Sequence, residues 1–299
     1  MNAYRLIFGE NDGLPSLICD VYAGVAVLKL YSGIWFPYLD PIKTAIVAVA
    51  KVRAVIIRYA RMLTYRLTAE NPKEGTCIVG KLEQPEVTFK EHSVLFQCNI
   101  VKGHKTGFFL DHRPNRIKVQ QLAKGLRVLD VFSYAGGFSV HALVGGAREV
   151  TSVDISAQAL GLARRNVKLN QNRVRGEHTT IAGDAFKILQ ELKDSGQRYD
   201  LIIIDPPAFA KNAEEVPGAL RQYERLARMG ASLIANCGTL VLASCSSRIG
   251  EAVFFEACER GITNAGKVFS LVQKTFHAVD HPIGFTEGAY LKCGYYSLS

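Results

Sequence analysis

Short apolar runs alternate with helical patterns from residue 127 to the end of the chain. Strands are predicted at six of these runs: RVLDVF, EVTSVD, EHTTIAGD, YDLIIID, GTLVLAS and KVFSLVQKTF. Stretches between them, such as SAQALGLARRNVKLN and GALRQYERLARMGASLIA, have the apolar spacing of amphipathic helices. This alternation predicts a parallel, doubly wound α/β sheet that binds its ligands at the carboxyl ends of the strands. The final run, GAYLKCGYYSL, predicts an added strand at the edge of the sheet.

The first 95 residues have a different pattern. Alternating stretches such as SLICDVYAGVAVLKLYSG are interrupted by Gly and Pro, and they predict short strands and turns rather than a continued βα alternation. We therefore predict a small α+β domain over residues 1–95 and a larger α/β domain over residues 96–299.

Composition excludes several classes of protein. The longest uninterrupted apolar stretches, such as AIVAVA, are far shorter than the ~18 residues that a membrane span needs, and the N-terminus does not have the pattern of a signal peptide. Seven cysteines occur without any C-x-x-C spacing, which predicts reduced thiols and no metal site. We expect a cytoplasmic protein without a membrane partner.

The net charge of +9 is concentrated in two segments. Residues 51–66 carry five basic side chains and no acid, and residues 102–127 carry seven basic side chains against one acid. Such clustering suits a polyanionic partner such as nucleic acid, although a solvated basic face would have the same pattern. The candidate substrate contacts in the first segment are Arg58, Arg61 and Arg66.

A glycine-containing turn follows the first predicted strand, in DVFSYAGGFSVHAL at 130–143. Backbone can approach a ligand closely at Gly136 and Gly137, which have no Cβ. The spacing is not G-x-G-x-x-G, so the pyrophosphate cradle of a dinucleotide site is missing. A cofactor without a pyrophosphate, S-adenosylmethionine, becomes the better candidate.

Acidic residues stand at the ends of three successive predicted strands. Asp154 is placed to accept hydrogen bonds from two ribose hydroxyls, and Asp184 with Ala185 is placed to meet the adenine. Helix N-caps also favour Asp, but three acids beside a glycine turn favour a cofactor site. The candidate cofactor-binding residues here are Asp130, Phe132, Tyr134, Gly136, Gly137, Asp154, Ile155, Asp184 and Ala185.

The fourth and fifth predicted strands end in residues suited to chemistry on a base. In IIIDPPAF, Pro206 and Pro207 fix the backbone, so that Asp205 faces the ligand pocket in a rigid turn. Phe209 is available to stack on a nucleobase, or it is a core phenylalanine behind a strand terminator. Cys245, in LASCSSR, follows the fifth strand, where it is either a buried small hydrophobe or a nucleophile.

Several motifs together resemble one family. They are YRLIFGENDGLPSLICD, KGHKTGFFLDHRPNR, DVFSYAGGFS, DPPAF, SCSS and DHPIGFTEGAYLKCGYY. With these motifs the chain resembles, over nearly its whole length, the bacterial methyltransferases that form 5-methylcytosine in 23S ribosomal RNA of the large subunit. The resemblance implies a Rossmann-like class I methyltransferase sheet beside a smaller N-terminal α+β domain, with S-adenosylmethionine as methyl donor.

The resemblance also implies roles for individual residues. Cys245 would add to C6 of cytosine, and Asp205 would contact both the cofactor and the flipped base. The KTGFFLDHR stretch would close over the cofactor; an Asp111–Arg113 surface pair with packed phenylalanines is the structural alternative. The candidates in this stretch are Lys105, Phe109, Asp111 and Arg113.

The sequence departs from the family pattern in two places. Typical members begin with a PUA RNA-binding domain, whereas this sequence begins with the stretch that starts their central domain, and its segment 57–70 is more basic than usual. Two other functions are considered: methylation of another position, such as a guanine nitrogen, and non-catalytic RNA binding in assembly. The sequence leaves the oligomeric state open, a homodimer included.

Overall fold

The computed structural model describes residues 1–299 and contains fourteen strands and eight α-helices. The strands are β1 (Ala3–Phe8), β2 (Leu17–Tyr22), β3 (Val25–Leu30), β4 (Ala54–Tyr59), β5 (Cys77–Gly80), β6 (Glu86–Glu91), β7 (Val94–Asn99), β8 (Arg127–Val131), β9 (Glu149–Asp154), β10 (Glu177–Ala182), β11 (Tyr199–Ile204), β12 (Ile234–Ser244), β13 (Phe269–Thr275) and β14 (Lys292–Leu298). The helices are α1 (Leu39–Ala50), α2 (Arg61–Thr64), α3 (Arg113–Leu122), α4 (Gly137–Val144), α5 (Ala157–Leu169), α6 (Ala185–Asp194), α7 (Val216–Leu233) and α8 (Glu251–Asn264). No helix is both long and apolar enough to cross a membrane.

The chain forms two compact units. The first unit contains Met1–Arg113 and Ala278–Thr286, and the second contains Pro114–His277 and Glu287–Ser299. The first unit thus ends at Arg113 and not at residue 95, where the sequence pattern changes. It also includes Ala278–Thr286, a short segment near the end of the chain.

The first unit is an α+β structure. Its main sheet has the order β1-β2-β3-β4-β5, with β3 and β4 parallel and the other pairs antiparallel. The parallel pair requires a crossover connection, and α1 lies in that connection. Strands β6 and β7 form a separate antiparallel hairpin.

The second unit contains a seven-stranded sheet in the order β10-β9-β8-β11-β12-β14-β13. The first five strands in this order are parallel. Leu201 to Ile204 of β11 are all almost completely buried, as expected for a parallel sheet with both faces covered by helices. The predicted doubly wound, Rossmann-like α/β sheet with a smaller α+β part is confirmed.

The prediction that the last strand lies at the sheet edge is wrong. Strand β14 is inserted between β12 and β13 and is antiparallel to both. Six of its seven residues are buried, whereas β13 has several exposed residues, including Val272. The run LKCGYYSL is apolar enough for an interior strand, and the alternating pattern of β13 is that of an edge strand with one solvated face.

The chain order of the strands reverses at β8. From β8 the chain continues to β9 and β10 on one side, and then returns to β11 on the other side. Ligands of doubly wound sheets bind at such a switch point, outside the carboxyl ends of the strands. The turns that follow β8 and β11 therefore border the expected ligand crevice of the second unit.

Candidate functional site

The turn between β8 and α4 has an unusual backbone. Phe132 and Tyr134 have φ angles of 65° and 47°, in the left-handed region that bulky residues rarely adopt. Gly136 has φ 76°, and a Cβ there would lie 2.9 Å from the Cβ of Ala163. Unfavourable backbone at non-glycine residues clusters at ligand sites, where the surrounding fold holds it in place. This turn therefore has the geometry of a ligand-binding loop.

Asp154 joins the end of β9 to that turn. One carboxylate oxygen accepts a hydrogen bond from the Tyr134 N–H at 2.8 Å, and the other accepts from the Ser156 N–H at 2.9 Å. The residue is only half-buried, and the next side chain, Ile155, is 77% exposed. Since a carboxylate has about four acceptor sites, Asp154 keeps acceptor capacity for hydroxyl donors.

Asp130 lies beneath the turn in a buried polar chain. Its Oδ2 accepts from the N–H and the hydroxyl of Ser139, at 3.0 and 2.6 Å. The Ser139 hydroxyl lies 2.6 Å from that of Ser152, which lies 2.8 Å from Nε2 of His178. The Asp130 Oδ1 and the Ser133 hydroxyl are buried without a hydrogen-bond partner. Because buried polar atoms are nearly always paired, these two atoms indicate that the crevice receives polar groups of a ligand.

The three acids around β8 influence one another. Burial raises the pKa of Asp130 to about 7, the hydrogen bonds from Ser139 oppose this rise, and the charges of Asp205 and Asp154 add to it. The carboxylates of Asp130, Asp154 and Asp205, which follow or end β8, β9 and β11, thus lie within electrostatic range of one another. Asp184, the third acid of the predicted strand-end set, is not among the charges that act on Asp130.

Asp184 is the N-cap of α6. Its carboxylate accepts from the Lys187 N–H at 3.1 Å, its side chain is exposed, and Ala185 is buried. Asp184 therefore caps the helix, which is the alternative role that the sequence analysis gave for a strand-end Asp. Contact of Asp184 and Ala185 with an adenine stays a prediction.

The turn after β11 continues the crevice. The Asp205 N–H donates to the carbonyl of Val131 at 3.3 Å, Pro206 is buried and Pro207 is exposed. The sulfur of Cys245, after β12, lies 3.8 Å from the Pro206 carbonyl oxygen. The structure therefore brings the predicted catalytic cysteine next to the Asp-Pro-Pro turn.

Tyr223 of α7 lies behind this pair. Its hydroxyl is 2.9 Å from the Ser244 hydroxyl. Burial is the main cause that raises the pKa of Tyr223, and the charges of Cys245 and Asp205 raise it further. Phe209 packs edge to face on Tyr223, with ring centroids 5.1 Å apart. This contact favours the alternative that Phe209 is a core residue, and its stacking on a base stays a prediction.

Cys245 differs in its surroundings from four of the other cysteines. Cys19, Cys98, Cys258 and Cys293 are buried, and burial raises the pKa of each thiol. Cys245 is partly exposed. A partly exposed thiol at a ligand crevice has the accessibility that a nucleophile requires.

The predicted residues of the KTGFFLDHR stretch belong to the first unit. The Lys105 ammonium lies 4.0 Å from the Asp111 carboxylate and 4.9 Å from the centre of the Phe109 ring. Arg113 forms an ion pair with Asp280 at 2.5 Å. Asp111 and Arg113 are both buried, which differs from a surface pair.

The three predicted arginine contacts are not equivalent. Arg58 donates to Glu74 at 3.2 Å and to the Gly103 carbonyl at 2.7 Å, so it has a structural role within the first unit. Arg61 and Arg66 are exposed. Of the three, the latter two are the more accessible to a polyanion.

Sequence reasoning missed Lys292. This lysine of β14 is buried and donates to two carbonyls of the turn that follows Cys245. The available signal was one charged residue inside an otherwise apolar run, since lysines are almost never fully buried without a partner.

A family model of S-adenosylmethionine-dependent methyltransferases matches residues 12–286. The chain belongs to this family. The methyltransferase is 42% identical over 97% of its length to a ribosomal RNA large subunit methyltransferase of Deinococcus radiodurans, of which it covers 71%. It is 35% identical over 98% of its length to a ribosomal RNA large subunit methyltransferase I of Aeromonas salmonicida, of which it covers 74%.

The fold of the methyltransferase is also known from solved structures. A protein from Streptococcus mutans, described as an S-adenosylmethionine-dependent methyltransferase, superposes with a TM-score of 0.84 at 22% identity. The superposition covers 99% of this chain and 75% of that one.

The cofactor of the methyltransferase is S-adenosylmethionine. The crevice fits this group, because the unpaired atoms of Asp130 and Ser133 can receive polar ligand groups and the Asp154 carboxylate can accept from hydroxyls. The exposed Ile155 beside Asp154 offers an apolar surface to a ring.

We predict that Asp154→Ala weakens the binding of S-adenosylmethionine by about 1–3 kcal/mol, the cost of leaving ligand hydroxyls unpaired. Calorimetric titration measures this loss. Glu177→Ala is the matched control, since Glu177 is an exposed carboxylate at the opposite end of the parallel strands. Equal affinities of wild type and Asp154→Ala would contradict the placement of the ribose.

Proposed function

We propose that this protein transfers a methyl group from S-adenosylmethionine to C5 of a cytosine in 23S ribosomal RNA of the large subunit. The observation that carries the proposal is the position of Cys245, 3.8 Å from the Asp-Pro-Pro turn at the switch point of the sheet. The names of the two relatives support ribosomal RNA as the substrate.

A thiol next to the cofactor crevice suits this reaction because C5 of cytosine is a weak nucleophile. The Cys245 thiolate adds to C6, and the electron pair of the C5–C6 double bond becomes available at C5. When bound in the crevice, S-adenosylmethionine would supply an electrophilic methyl group for C5, and its sulfur would leave as a neutral thioether. Loss of the C5 proton to a base or to water restores the double bond and expels the thiolate.

Asp205 has the position to orient the base. Its backbone is anchored to the end of β8 and is followed by two prolines, which restrict its motion. Its carboxylate would accept from the N4 amino group of a flipped cytosine, and a rigid acceptor discriminates against bases that have no donor there.

Mass spectrometry of nucleosides tests the proposal. Transcripts of 23S ribosomal RNA incubated with the protein and methyl-labelled donor should yield labelled 5-methylcytidine. A labelled guanosine would support methylation of a guanine nitrogen instead, and RNA binding without methyl transfer would support the assembly function. Bisulfite sequencing of ribosomal RNA from a deletion strain then locates the modified nucleotide.

RNA binding should depend steeply on salt, because basic side chains that neutralise phosphates release counterions. We predict that Arg61→Gln with Arg66→Gln flattens the slope of log K against log salt by about 0.7–0.9 per lost contact. Filter binding at several salt concentrations measures the slope. Arg53→Gln is the control, because Arg53 donates to the Ala23 carbonyl within the fold. An unaltered slope would show that Arg61 and Arg66 form a solvated face.

A further inference from the structure

The turn that carries Cys245 is held by a lysine of the neighbouring strand. Lys292 of β14 pairs with Ser244 of β12, the residue before the cysteine. Its side chain is 2% exposed, and its ammonium donates to the carbonyls of Ser246 and Ile249 at 2.6 Å each. One amine thus fixes the chain on the carboxyl side of Cys245 at two points.

The charge of Lys292 is buried and is not compensated by a direct ion pair. Its two acceptors are neutral carbonyls, which use two of its three N–H donors. Glu251, the nearby carboxylate, forms an ion pair with the partly exposed Lys274 at 3.0 Å. Burial lowers the pKa of Lys292 to about 8, whereas the charges of Cys245 and Glu251 favour its protonated form. The amine is therefore mainly cationic at pH 7.

Other titratable groups surround the thiol. Burial is the main cause that raises the pKa of Tyr223 of α7 and raises the pKa of Cys293 to about 12, and the charge of Asp205 raises both further. Arg248 lies in the same turn but is exposed, so that solvent screens its charge. Lys292 is the buried cation of this group.

We propose that Lys292 is a positioning residue that fixes the Cys245 turn and stabilises the Cys245 thiolate by its buried charge. A cation beside a cysteine lowers the pKa of the thiol and raises its reactivity. This inference rests on the proposed function, in which the thiolate is the nucleophile. It adds the residue that stabilises that thiolate.

Alkylation of Cys245 by iodoacetamide tests the inference without RNA or methyl donor. The measurement uses full-length protein with Cys77→Ser and Cys237→Ser, which removes the other two cysteines that are not buried. Lys292→Gln keeps a hydrogen-bond donor but removes the charge. We expect the alkylation rate at pH 7 to fall about tenfold, because a rise of about one in the thiol pKa lowers the thiolate fraction by that factor, and the pH midpoint should move upwards.

The control is Arg248→Gln, which removes the same charge from the exposed part of the turn and should change the rate less than twofold. Binding of S-adenosylmethionine shows whether Lys292→Gln is folded. An unchanged pH profile of alkylation in the folded variant would overturn the inference.

If Lys292→Gln does not fold, the same coupling can be measured from the lysine, by NMR titration of the Lys292 amine in Cys245→Ala. The pKa of the Lys292 amine should be lower in Cys245→Ala than in wild type, because the charge of Cys245 is lost. Equal values would overturn the inference. If Lys292→Gln alters the alkylation profile but the wild-type protein forms no 5-methylcytosine, the coupling between Lys292 and Cys245 is supported and only the proposed function is refuted.

Discussion

Cys245→Ala should lose RNA methylation by a factor of at least ~10⁴, as removal of an essential nucleophile typically does. The physical reason is that C5 of cytosine does not attack the methyl group without the electron pair that thiolate addition provides. Binding of S-adenosylmethionine should persist, because the acids and the glycine turn of the cofactor crevice follow β8 and β9 whereas Cys245 follows β12. Folding should change little, since the lost side chain is small and partly exposed. Methyl transfer to ribosomal RNA, calorimetry with the donor and thermal unfolding measure the three quantities.

RNA that contains 5-fluorocytosine tests the same role of Cys245, because it should trap the covalent adduct between protein and RNA. Fluorine at C5 cannot leave as a proton, so that the adduct stalls after methyl transfer. A denaturation-resistant protein–RNA band should form with wild type only when the methyl donor is present, and it should be absent with Cys245→Ala. Cys237→Ala is the matched control, because Cys237 is an exposed thiol in β12. Methylation by Cys245→Ala at nearly the wild-type rate would mean that the thiol only packs and that the target is not C5 of a pyrimidine.

The strand ends could be predicted from the sequence because local pattern determines them. Apolar runs predicted β8 to β12, and in a parallel sheet all their carboxyl ends lie at one edge. The meeting of Asp130, Asp154 and Asp205 follows from this rule without any knowledge of side-chain contacts.

Contacts between distant parts of the chain could not be predicted in this way. The position of β14 depends on which strands pair with its two edges, and a single run does not contain that information. The approach of Lys292 to the Ser246 and Ile249 carbonyls follows from the register of β14 on β12. The Asp-Pro-Pro and Ser-Cys-Ser sequences could be recognised as motifs, whereas the buried lysine that holds the turn after Cys245 could not.

The ion pair between Arg113 and Asp280 is a second long-range contact, across 167 positions in sequence, and it connects the two segments of the first unit. Side-chain exposures of 5% and 14% make it a mostly buried pair. Burial would raise the pKa of Asp280, but hydrogen bonds from His281, Arg113 and the Arg5 N–H outweigh burial and hold that pKa well below its usual range. The segment Ala278–Thr286 is thus joined to the remainder of the first unit by charge as well as by hydrogen bonds between backbone N–H groups and side chains, from Arg5 to Asp280 and from Gly284 to Asn11.

We predict that Asp280→Asn lowers the free energy of unfolding of the first unit by about 3–5 kcal/mol, because the buried guanidinium of Arg113 loses the negative charge of this partner. The single tryptophan, Trp35, lies in this unit, so its fluorescence during urea unfolding reports the loss directly. The pH dependence has a definite sign. A carboxylate with a lowered folded-state pKa stabilises the protein above its unfolded-state pKa of about 4 and loses that effect as the pH falls. Wild type should therefore lose stability below about pH 4 more steeply than Asp280→Asn.

Two further variants separate this structural role from a role at the cofactor. Arg113→Met combined with Asp280→Asn should be more stable than Asp280→Asn alone, because the buried guanidinium is then removed together with its carboxylate partner. Lys105→Met is the matched control, since Lys105 is about half exposed and its pair with Asp111 should be worth about 1 kcal/mol or less. If Arg113→Met leaves the stability unchanged but weakens the binding of S-adenosylmethionine, then Arg113 serves the cofactor, as the sequence motif predicts. If it destabilises the first unit and the folded protein binds the donor with wild-type affinity, then the arginine of KTGFFLDHR serves to hold residues 278–286 in place.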